Sequence, residues 1–473
     1  MRALTTIARR VLGESYRQWL LLANSGALVA TGVVTAVFGF LFWWFAARFL
    51  PPHAVGLAAA AISIMNLIGL AGEVGLGTLL MGESLRSGRD RPGLISAALL
   101  ATLVTSALFG GACLALADLS PLRLGSFLDA ADYGVLFVAG CVVTGFTVVL
   151  DCALVGLLQN ALRVYRNVTF SALKLALLPV LAFAVPAGSL EITIFTAWVG
   201  GKLLSVLLLA PFLARRGHAV WRTPDFAALG GQSPSALGHY LLDLVTQGPG
   251  LVLPFLVTVI FAAHVNAAFY AAWMIFGVVL LVPASLATML FTIGSLQPAT
   301  IAARMRFSLW VCALTSLVAG IGFYLLAGWI LGSFGRSYAE MGGSVLQVLG
   351  LAVFAMALKY HYIAVQRLNG RMLRAAAMLC GGGILELAFA VCGGIWVGLT
   401  GFVCGWLCAV YLEAVLVAPT VVRAVRGAPS ADLQAIIAPD PPPASLEPRR
   451  RSVASEYVPC VRPANSLIAR SPR

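Results

Sequence analysis

The sequence predicts an all-α polytopic membrane protein of about 12 transmembrane helices, arranged as two six-helix lobes. Three observations predict this class: the apolar composition, the number of long apolar runs, and the distribution of arginine along the chain. Of the 473 residues, 60% are hydrophobic and 10% are charged, and the mean hydropathy is +0.95. A soluble domain is about 45–50% apolar and about 25% charged. The composition therefore excludes most soluble enzymes, disordered proteins and fibres.

Twelve apolar runs approach or exceed the length of about 20 residues that a membrane-spanning helix needs. The first run follows a basic N-terminus and is about 24 residues long. That is too long for the apolar part of a signal peptide, so we interpret the run as an uncleaved helix. The runs are 25–48, 54–80, 93–117, 133–157, 168–185, 191–213, 237–263, 267–292, 308–330, 342–365, 372–396 and 399–422.

Arginine is concentrated in the segments on one side of the predicted topology. With the N-terminus placed in the cytoplasm, 25 arginines fall on the inside and three on the outside, and every inside segment is basic. Both termini are therefore predicted to be cytoplasmic. If one helix had been missed, every later loop would be assigned to the wrong side of the membrane. The regular distribution of arginine therefore supports twelve spans. The net charge of +13 then reports orientation toward anionic membrane lipids, and we expect no nucleic-acid partner.

The longest predicted loop divides the chain into halves of six helices each. We predict a cytoplasmic N-terminal segment (1–24), an N-terminal lobe (25–213), an inter-lobe loop (214–236), a C-terminal lobe (237–422) and a disordered, basic, Pro-rich tail (423–473). The segment 48–60 resembles 261–272, and each joins the first two helices of its half; chance similarity between apolar segments is the alternative. Transporters often place their substrate path between such repeats.

Sequence signatures of catalysis are missing. The chain contains no P-loop, G-x-S-x-G or H-E-x-x-H motif, and its five histidines are scattered. Eight of the nine cysteines fall inside apolar runs, where they are typical of small packing residues. We therefore expect a protein that is not an enzyme and that has no disulfide framework, metal or cofactor.

Eight charged residues lie inside the apolar runs, where a charge at the bilayer centre costs about 2.5–3.5 kcal/mol. The lysines are candidate cavity cations for an anionic substrate: Lys174, Lys202 and Lys359. Four acids are candidates for ion coupling or ion pairing: Asp151, Asp243, Glu386 and Glu413. Glu73 is expected at the membrane interface. Structural ion pairs and snorkelling lysines are the alternative interpretation, and the hairpin that carries Asp151 and Lys174 predicts a pair between them.

The seventh predicted helix contains residues that disturb a regular helix. Gly248, Pro249, Gly250 and Pro254 fall near its middle, where proline removes a backbone donor and glycine tolerates unusual dihedral angles. We predict a bend or gate here, with a simple packing kink as the alternative.

His239 lies four residues before Asp243, on the same face of the seventh predicted helix. The two form a candidate proton-sensitive pair, with a satisfied interior histidine as the alternative.

Four segments resemble polysaccharide flippases of the multidrug/oligosaccharidyl-lipid/polysaccharide exporter superfamily. They are FLFWWFAARFLPPHAVGLAAAAIS at 40–63, GEVGLGTLL at 72–80, LDCALVGLLQNALRVYRNVTFSALKLALLP at 150–179, and NAAFYAAWMI at 266–275. Together they cover the junction of helices 1 and 2, the end of helix 2, the helix 4–5 hairpin and the start of helix 8. The resemblance extends over residues 20–422, and its strength comes from the order and spacing of the segments.

This resemblance implies two lobes around a central cavity that alternates between inward-open and outward-open states. Such proteins move a lipid-pyrophosphate-linked oligosaccharide across the bacterial plasma (inner) membrane, for lipopolysaccharide or exopolysaccharide synthesis. Lys174 and Lys202 are then the best candidates to contact the pyrophosphate. The implied partners are this lipid-linked saccharide and a polysaccharide polymerase or glycosyltransferases, with a monomeric transport unit.

One departure from the family bears on the energy source. Helix 1 has no acid between Ser25 and Ala47, where drug-exporting relatives commonly use one for cation coupling. A cation-coupled multidrug antiporter of the same fold is nevertheless the second hypothesis. A membrane enzyme of polysaccharide assembly is the third, and the short predicted outside loops argue against it.

Overall fold

The computed structural model describes residues 32–83, 91–119, 131–157, 159–184, 190–215, 223–227, 229, 234–297 and 300–427, which contain helices and no strand. The helices are α1 (Gly32–Phe49), α2 (Pro52–Gly72), α3 (Leu76–Glu83), α4 (Arg91–Leu119), α5 (Ala131–Gly156), α6 (Asn160–Ala184), α7 (Leu190–Arg215), α8 (Pro234–Ile260), α9 (Ala263–Leu296), α10 (Ile301–Gly332), α11 (Arg336–Leu368) and α12 (Met372–Val425). The predicted segment 1–24, most of the inter-lobe loop and the tail beyond residue 427 lie outside the described residues.

The described helices agree with the prediction of about twelve spans. Eleven of them are long and apolar enough to cross a membrane. The last, α12, has 54 residues, and at Gly398 its backbone leaves the helical region with φ 76° and ψ −157°. This residue divides α12 into two arms, 372–397 and 399–425, each long enough to span. The fold class predicted from the sequence is therefore confirmed.

The helix predicted over 54–80 is interrupted, which is a correction to the sequence-based boundaries. α2 ends at Gly72 and α3 begins at Leu76, with Val74 at φ 45° and Gly75 at φ 79° between them. Glycine adopts a positive φ without steric cost, whereas a β-branched valine rarely does. Hydropathy could not reveal this break because the residues on both sides are apolar.

The helices pack as two lobes, and α2 of the first lobe packs against helices of the second. It lies against α8 and α9 as well as against its own neighbours α4, α5 and α7. Near its start, the side-chain amide of Asn266 donates to the carbonyl of Gly56 over 2.7 Å. Near its end, the hydroxyl of Tyr240 donates to the carbonyl of Ala71 over 2.7 Å. Both ends of α2 are thus tied to the second lobe.

Gly56 allows a close approach between the lobes. A Cβ atom at this position would collide with the carbonyl oxygen of Ala263. The two residues belong to the segments 48–60 and 261–272, whose similarity suggested an internal repeat. The structure places these two segments against each other at the lobe boundary.

The bend predicted in helix 7 does not interrupt the backbone. α8 is helical from Pro234 to Ile260 and contains both Pro249 and Pro254. A Cβ atom at Gly383 would lie 2.8 Å from Cγ of Pro249, so this glycine makes room for the proline ring. The backbone is therefore helical through Gly248–Gly250, and a bend or gate at this segment stays a prediction.

Small residues hold the two arms of α12 together. A Cβ atom at Gly405 would collide with the carbonyl oxygen of Phe389, and one at Gly393 would collide with that of Gly401. Such small-residue interfaces let helix backbones approach closely in membranes. The α12 hairpin therefore depends on glycine at these positions.

We expect Gly405→Ala to lower the free energy of unfolding by about 1–3 kcal/mol, because the added methyl group overpacks the hairpin. Gly381→Ala is the matched control, since it lies on the same helix with nothing within 4 Å of its Cβ position. Thermal unfolding of the purified protein in detergent measures both changes. Equal stability of the two variants would contradict the close approach.

Candidate functional site

Asp151 and Arg166 form a two-pronged ion pair in the first lobe. Nε of Arg166 donates to Oδ1 of Asp151 over 2.7 Å, and its Nη2 donates to Oδ2 over 2.5 Å. The side-chain amide of Asn167 also donates to Oδ2, over 3.0 Å. The Arg166 side chain is 5% exposed and that of Asp151 is 15% exposed, so the pair is largely withdrawn from solvent.

The predicted pair between Asp151 and Lys174 is therefore wrong. α5 and α6 form a hairpin whose turn lies between Gly156 and Asn160. Asp151 and Arg166 lie about 8 and 9 Å from the turn at the helical rise of 1.5 Å per residue. Lys174 lies about 21 Å from it on the same scale. Asp151 therefore pairs with Arg166, which lies at a similar depth in the hairpin. Arg166 falls between the predicted runs 133–157 and 168–185, so the sequence predicts it in a loop.

Lys174 is held by aromatic rings. Its Nζ lies 3.8 Å from the ring centroid of Trp198, 4.8 Å from that of Phe170 and 5.2 Å from that of Phe42. The residue is 4% exposed. A cation over an aromatic face is stabilised by the ring quadrupole, more strongly where water is excluded. The lysine is thus accommodated without a carboxylate.

Lys202 lies beside this group and is held by neutral oxygen atoms. Its Nζ donates to the hydroxyl of Thr144 over 2.8 Å and to Oδ1 of Asn66 over 3.1 Å. Among the described residues, no carboxylate lies within salt-bridge distance of Lys174 or Lys202. We call Lys174, Lys202, Arg166 and Asp151 the first-lobe site. With all four groups ionised its formal charge is +2.

The aromatic residues connect this site to the lobe boundary. The ring of Trp198 lies 6.1 Å from that of Trp43. Trp43 in turn lies 4.7 Å from Tyr270, which belongs to α9 of the second lobe. A displacement of the lobes would therefore change the packing of the rings around Lys174.

The second lobe holds a buried cluster of opposite sign. Nζ of Lys359 lies 2.6 Å from Oε1 of Glu386 and 2.8 Å from Oε2 of Glu413, all on side chains at most 4% exposed. The indole N–H of Trp406 donates to Oε2 of Glu386 over 2.8 Å. We call Lys359, Glu386 and Glu413 the second-lobe triad. With all three groups ionised its formal charge is −1.

Lys359 does not resemble the two lysines of the first lobe, although the sequence placed all three together as candidate cavity cations. It is neutralised by two carboxylates, as the alternative of structural ion pairing anticipated. The sequence predicts Glu386 and Glu413 as candidates for ion coupling or ion pairing, and in the structure both pair with Lys359.

Asp243 pairs with Arg367, not with His239. Nη2 of Arg367 donates to Oδ1 of Asp243 over 2.5 Å, linking α8 to the end of α11. No hydrogen bond between His239 and Asp243 is found in the described part of the chain, and the His239 ring faces Phe291 at 6.3 Å. The long side chain of Arg367 thus binds the carboxylate of Asp243, which the i, i+4 spacing predicts as the partner of His239.

Glu73 is a further acidic residue of the first lobe, which the sequence predicts at the membrane interface. It lies at the break between α2 and α3 and is 3% exposed. Its Oε2 is buried without a hydrogen-bond partner among the described residues. The run G-E-V-G at 72–75 was the available signal, since two glycines beside an acid are unfavourable inside a helix.

No protein-family model matches the chain, and no curated protein matches it. Solved structures do resemble it. One, described as the inward-facing conformation of a multidrug resistance MATE family transporter of the MOP superfamily, aligns with a TM-score of 0.64 at 14% identity, over 85% of this chain and 100% of that one. The outward-facing conformation of such a transporter aligns with a TM-score of 0.63 at 15% identity, over 87% and 96%.

A third similar structure is a MOP superfamily transporter from Pyrococcus furiosus Vc1 (DSM3638), whose description states that reverse polarity of the binding pocket suggests a different function. It aligns with a TM-score of 0.63 at 15% identity, over 87% of this chain and 96% of that one. The chain therefore shares the fold of MATE and MOP superfamily transporters. At this level of identity the likeness shows the fold alone.

We expect Asp151→Ala to lower the free energy of unfolding by about 3–5 kcal/mol, because it leaves the buried Arg166 guanidinium without its partner. Glu340→Ala is the control: it breaks the exposed pair with Arg336 and should change stability by at most about 0.5 kcal/mol. Chemical or thermal unfolding in detergent compares the two. A small effect at Asp151 would show that water reaches Arg166.

Proposed function

We propose that the protein is a transporter that works by alternating access between its two lobes. The proposal is supported by the fold, which resembles structures described as both inward-facing and outward-facing conformations. It is also supported by the boundary between the lobes, where α2 of the first lobe is hydrogen-bonded to the second lobe at both of its ends.

Two cargo classes compete. The descriptions of the similar structures name multidrug resistance transporters, and they favour multidrug export over flipping of a lipid-linked saccharide. The sequence resemblance and the charge of the first-lobe site favour an anionic cargo. Because one similar structure is described in terms of a reversed pocket polarity, we use the charge of the site to define the cargo.

We infer that the cargo is amphipathic and carries negative charge. The observation that carries this inference is the pair Lys174 and Lys202, which are contacted by aromatic rings and neutral oxygens but by no described carboxylate. An anion would supply the missing countercharge, while the rings of Trp198 and Phe170 would contact an apolar portion. A lipid-linked pyrophosphate and an anionic drug share this chemistry, whereas a cationic drug would be repelled.

The remaining expectations belong to this proposal. Both termini face the cytoplasm, anionic lipids surround the basic loops, and the transport unit is a monomer. Under the saccharide alternative, the protein operates beside a polysaccharide polymerase or glycosyltransferases. Lys359 then has a different role from the two first-lobe lysines, because it is already neutralised.

Proteoliposomes containing the full chain and loaded with a fluorescent dye test the cargo charge. We expect export of a sulfonated anionic dye to exceed that of ethidium, and to fall at least tenfold in Lys174→Gln and Lys202→Gln. Arg336→Gln, which removes an exposed cation, is the control and should transport normally. Faster export of ethidium, unaffected by either lysine variant, would establish cationic drug transport and refute an anionic cargo.

Complementation separates the two anionic cargo classes. If the cargo is a lipid-linked saccharide, the wild-type chain should restore surface polysaccharide in a bacterium that lacks its own flippase. Lys202→Ala should then abolish the rescue while its abundance in the membrane stays unchanged. Normal surface polysaccharide in the Lys202→Ala strain would remove this lysine from the transport site.

A further inference from the structure

Two exposed tryptophans of α10 mark the depths at which this helix crosses the boundaries of the hydrocarbon layer. Trp310 is 65% exposed and Trp329 is 80% exposed. At the helical rise of 1.5 Å per residue they are about 28 Å apart along the helix. The hydrocarbon core of a bilayer is about 30 Å thick, and tryptophan is enriched at both of its boundaries. The beginning of α10, before Trp310, therefore lies at the depth of the lipid headgroups.

This end of α10 meets the last turn of α12. Nη1 of Arg306 donates to the carbonyl of Val425 over 3.1 Å. A Cβ atom at Gly427 would lie 3.6 Å from Cβ of Ala302, so the two helix ends are in contact. Arg306 is exposed and lies one turn before Trp310. Its guanidinium group is therefore held at the junction of the two helices, at headgroup depth.

Two more arginines, Arg423 and Arg426, lie on α12 at the same junction. Arg426 directly follows Val425, and Arg423 lies three residues earlier on the same side of the helix. Both are exposed, and no described residue forms an ion pair with them or with Arg306. α10 contains no acid, and α12 contains none after Glu413. We call Arg306, Arg423 and Arg426 the arginine cluster, which has no countercharge among the described residues.

Exposed apolar side chains continue from the arginine cluster toward the centre of the membrane. Phe307 and Trp310 are exposed on α10, and Leu416 and Val422 are exposed on α12. A guanidinium group has five N–H donors in a planar fork that matches the oxygens of a phosphate. The protein uses one of these donors of Arg306. The surface therefore fits a ligand with a phosphate at headgroup depth and with apolar chains that run along the two helices.

We propose that the arginine cluster is a binding site for the headgroup of an anionic glycerophospholipid. The inference goes beyond the proposed transport function and does not depend on it. It also differs from a general attraction of basic loops to anionic lipids, because three guanidinium groups are gathered at one junction of two helices. A free phosphate ion shares the charge of the headgroup but has no chains to cover the exposed apolar faces.

Native mass spectrometry of the purified full chain tests the site without any transported compound. The protein is mixed in a neutral detergent with equal amounts of phosphatidylglycerol and phosphatidylcholine, and the lipid that it retains is identified. We expect a preference of about tenfold or more for phosphatidylglycerol, and Arg306→Gln and Arg423→Gln should each lower it about fivefold, the contribution of one arginine near an anionic membrane surface. Equal retention of the two lipids by the wild type overturns the proposal.

Arg304→Gln is the matched control, because it removes the same charge from the same helix. Two residues along a helix place Arg304 and Arg306 on nearly opposite sides of α10. The guanidinium group of Arg304 instead donates to Oγ1 of Thr300 over 2.9 Å and to Oε1 of Gln297 over 3.1 Å. Arg304→Gln should keep the wild-type preference. Equal losses in Arg304→Gln and Arg306→Gln would show that binding follows net charge, and would overturn a discrete site.

Arg426→Gln separates lipid binding from helix stability, because it leaves the contact between Arg306 and Val425 in place. It should lower the preference for phosphatidylglycerol about fivefold. Thermal unfolding in detergent should show the same midpoint as the wild type. A preference that survives in Arg426→Gln and is lost only in variants that unfold more easily would overturn the proposal.

The fluorescence of Trp310 locates the bound lipid. In phosphatidylcholine vesicles, brominated phosphatidylglycerol should quench the wild-type protein more strongly than brominated phosphatidylcholine, and this difference should shrink in Trp310→Phe. Excess inorganic phosphate at constant ionic strength should not reduce the quenching. Loss of quenching in phosphate would assign the site to the free ion, and an unchanged difference in Trp310→Phe would place the lipid elsewhere; either result overturns the proposal.

Discussion

The cost of placing charge in an apolar interior governs the arrangement of this molecule. Each buried arginine or lysine of the described helices has a compensating partner, and the kind of partner differs from one to the next. Arg166 has a carboxylate, Lys174 has aromatic faces, and Lys202 has neutral oxygens. Lys359 has two carboxylates for one charge. With these groups ionised, the Lys174–Lys202 site of the first lobe keeps a surplus positive charge and the second-lobe triad keeps a surplus negative charge.

Much of the fold could be predicted from the sequence, because a bilayer demands about 20 apolar residues for each crossing and tolerates few charges. The same requirement makes the lysines and acids inside the apolar runs recognisable from the sequence. Their pairing could not be predicted, since it depends on helix rotation and depth. Asp151 therefore received the wrong partner, and Arg166 was missed because a charged residue near a helix start resembles a loop residue. The positive φ at Val74 and Gly75 left no trace in hydropathy.

α2 lies between the charged site of the first lobe and the helices of the second lobe. It is held to α9 near Gly56 and to α8 near Ala71, and the break after Gly72 allows α3 to follow a different direction. The Trp43–Tyr270 contact lies at the same boundary and leads to the rings around Lys174. Under the proposed transport function, this short chain of contacts would link binding in the first lobe to relative motion of the lobes.

The order of the second-lobe triad along the chain has a consequence for biogenesis. Lys359 lies on α11 and is synthesised before both glutamates, which lie on the two arms of α12. During translation the insertion machinery must therefore accept a helix with an unneutralised lysine. It must then deliver a hairpin whose two acids complete the cluster. Gly398 joins the arms without an intervening loop, so the two carboxylates belong to one hairpin that packs against the helix of their lysine.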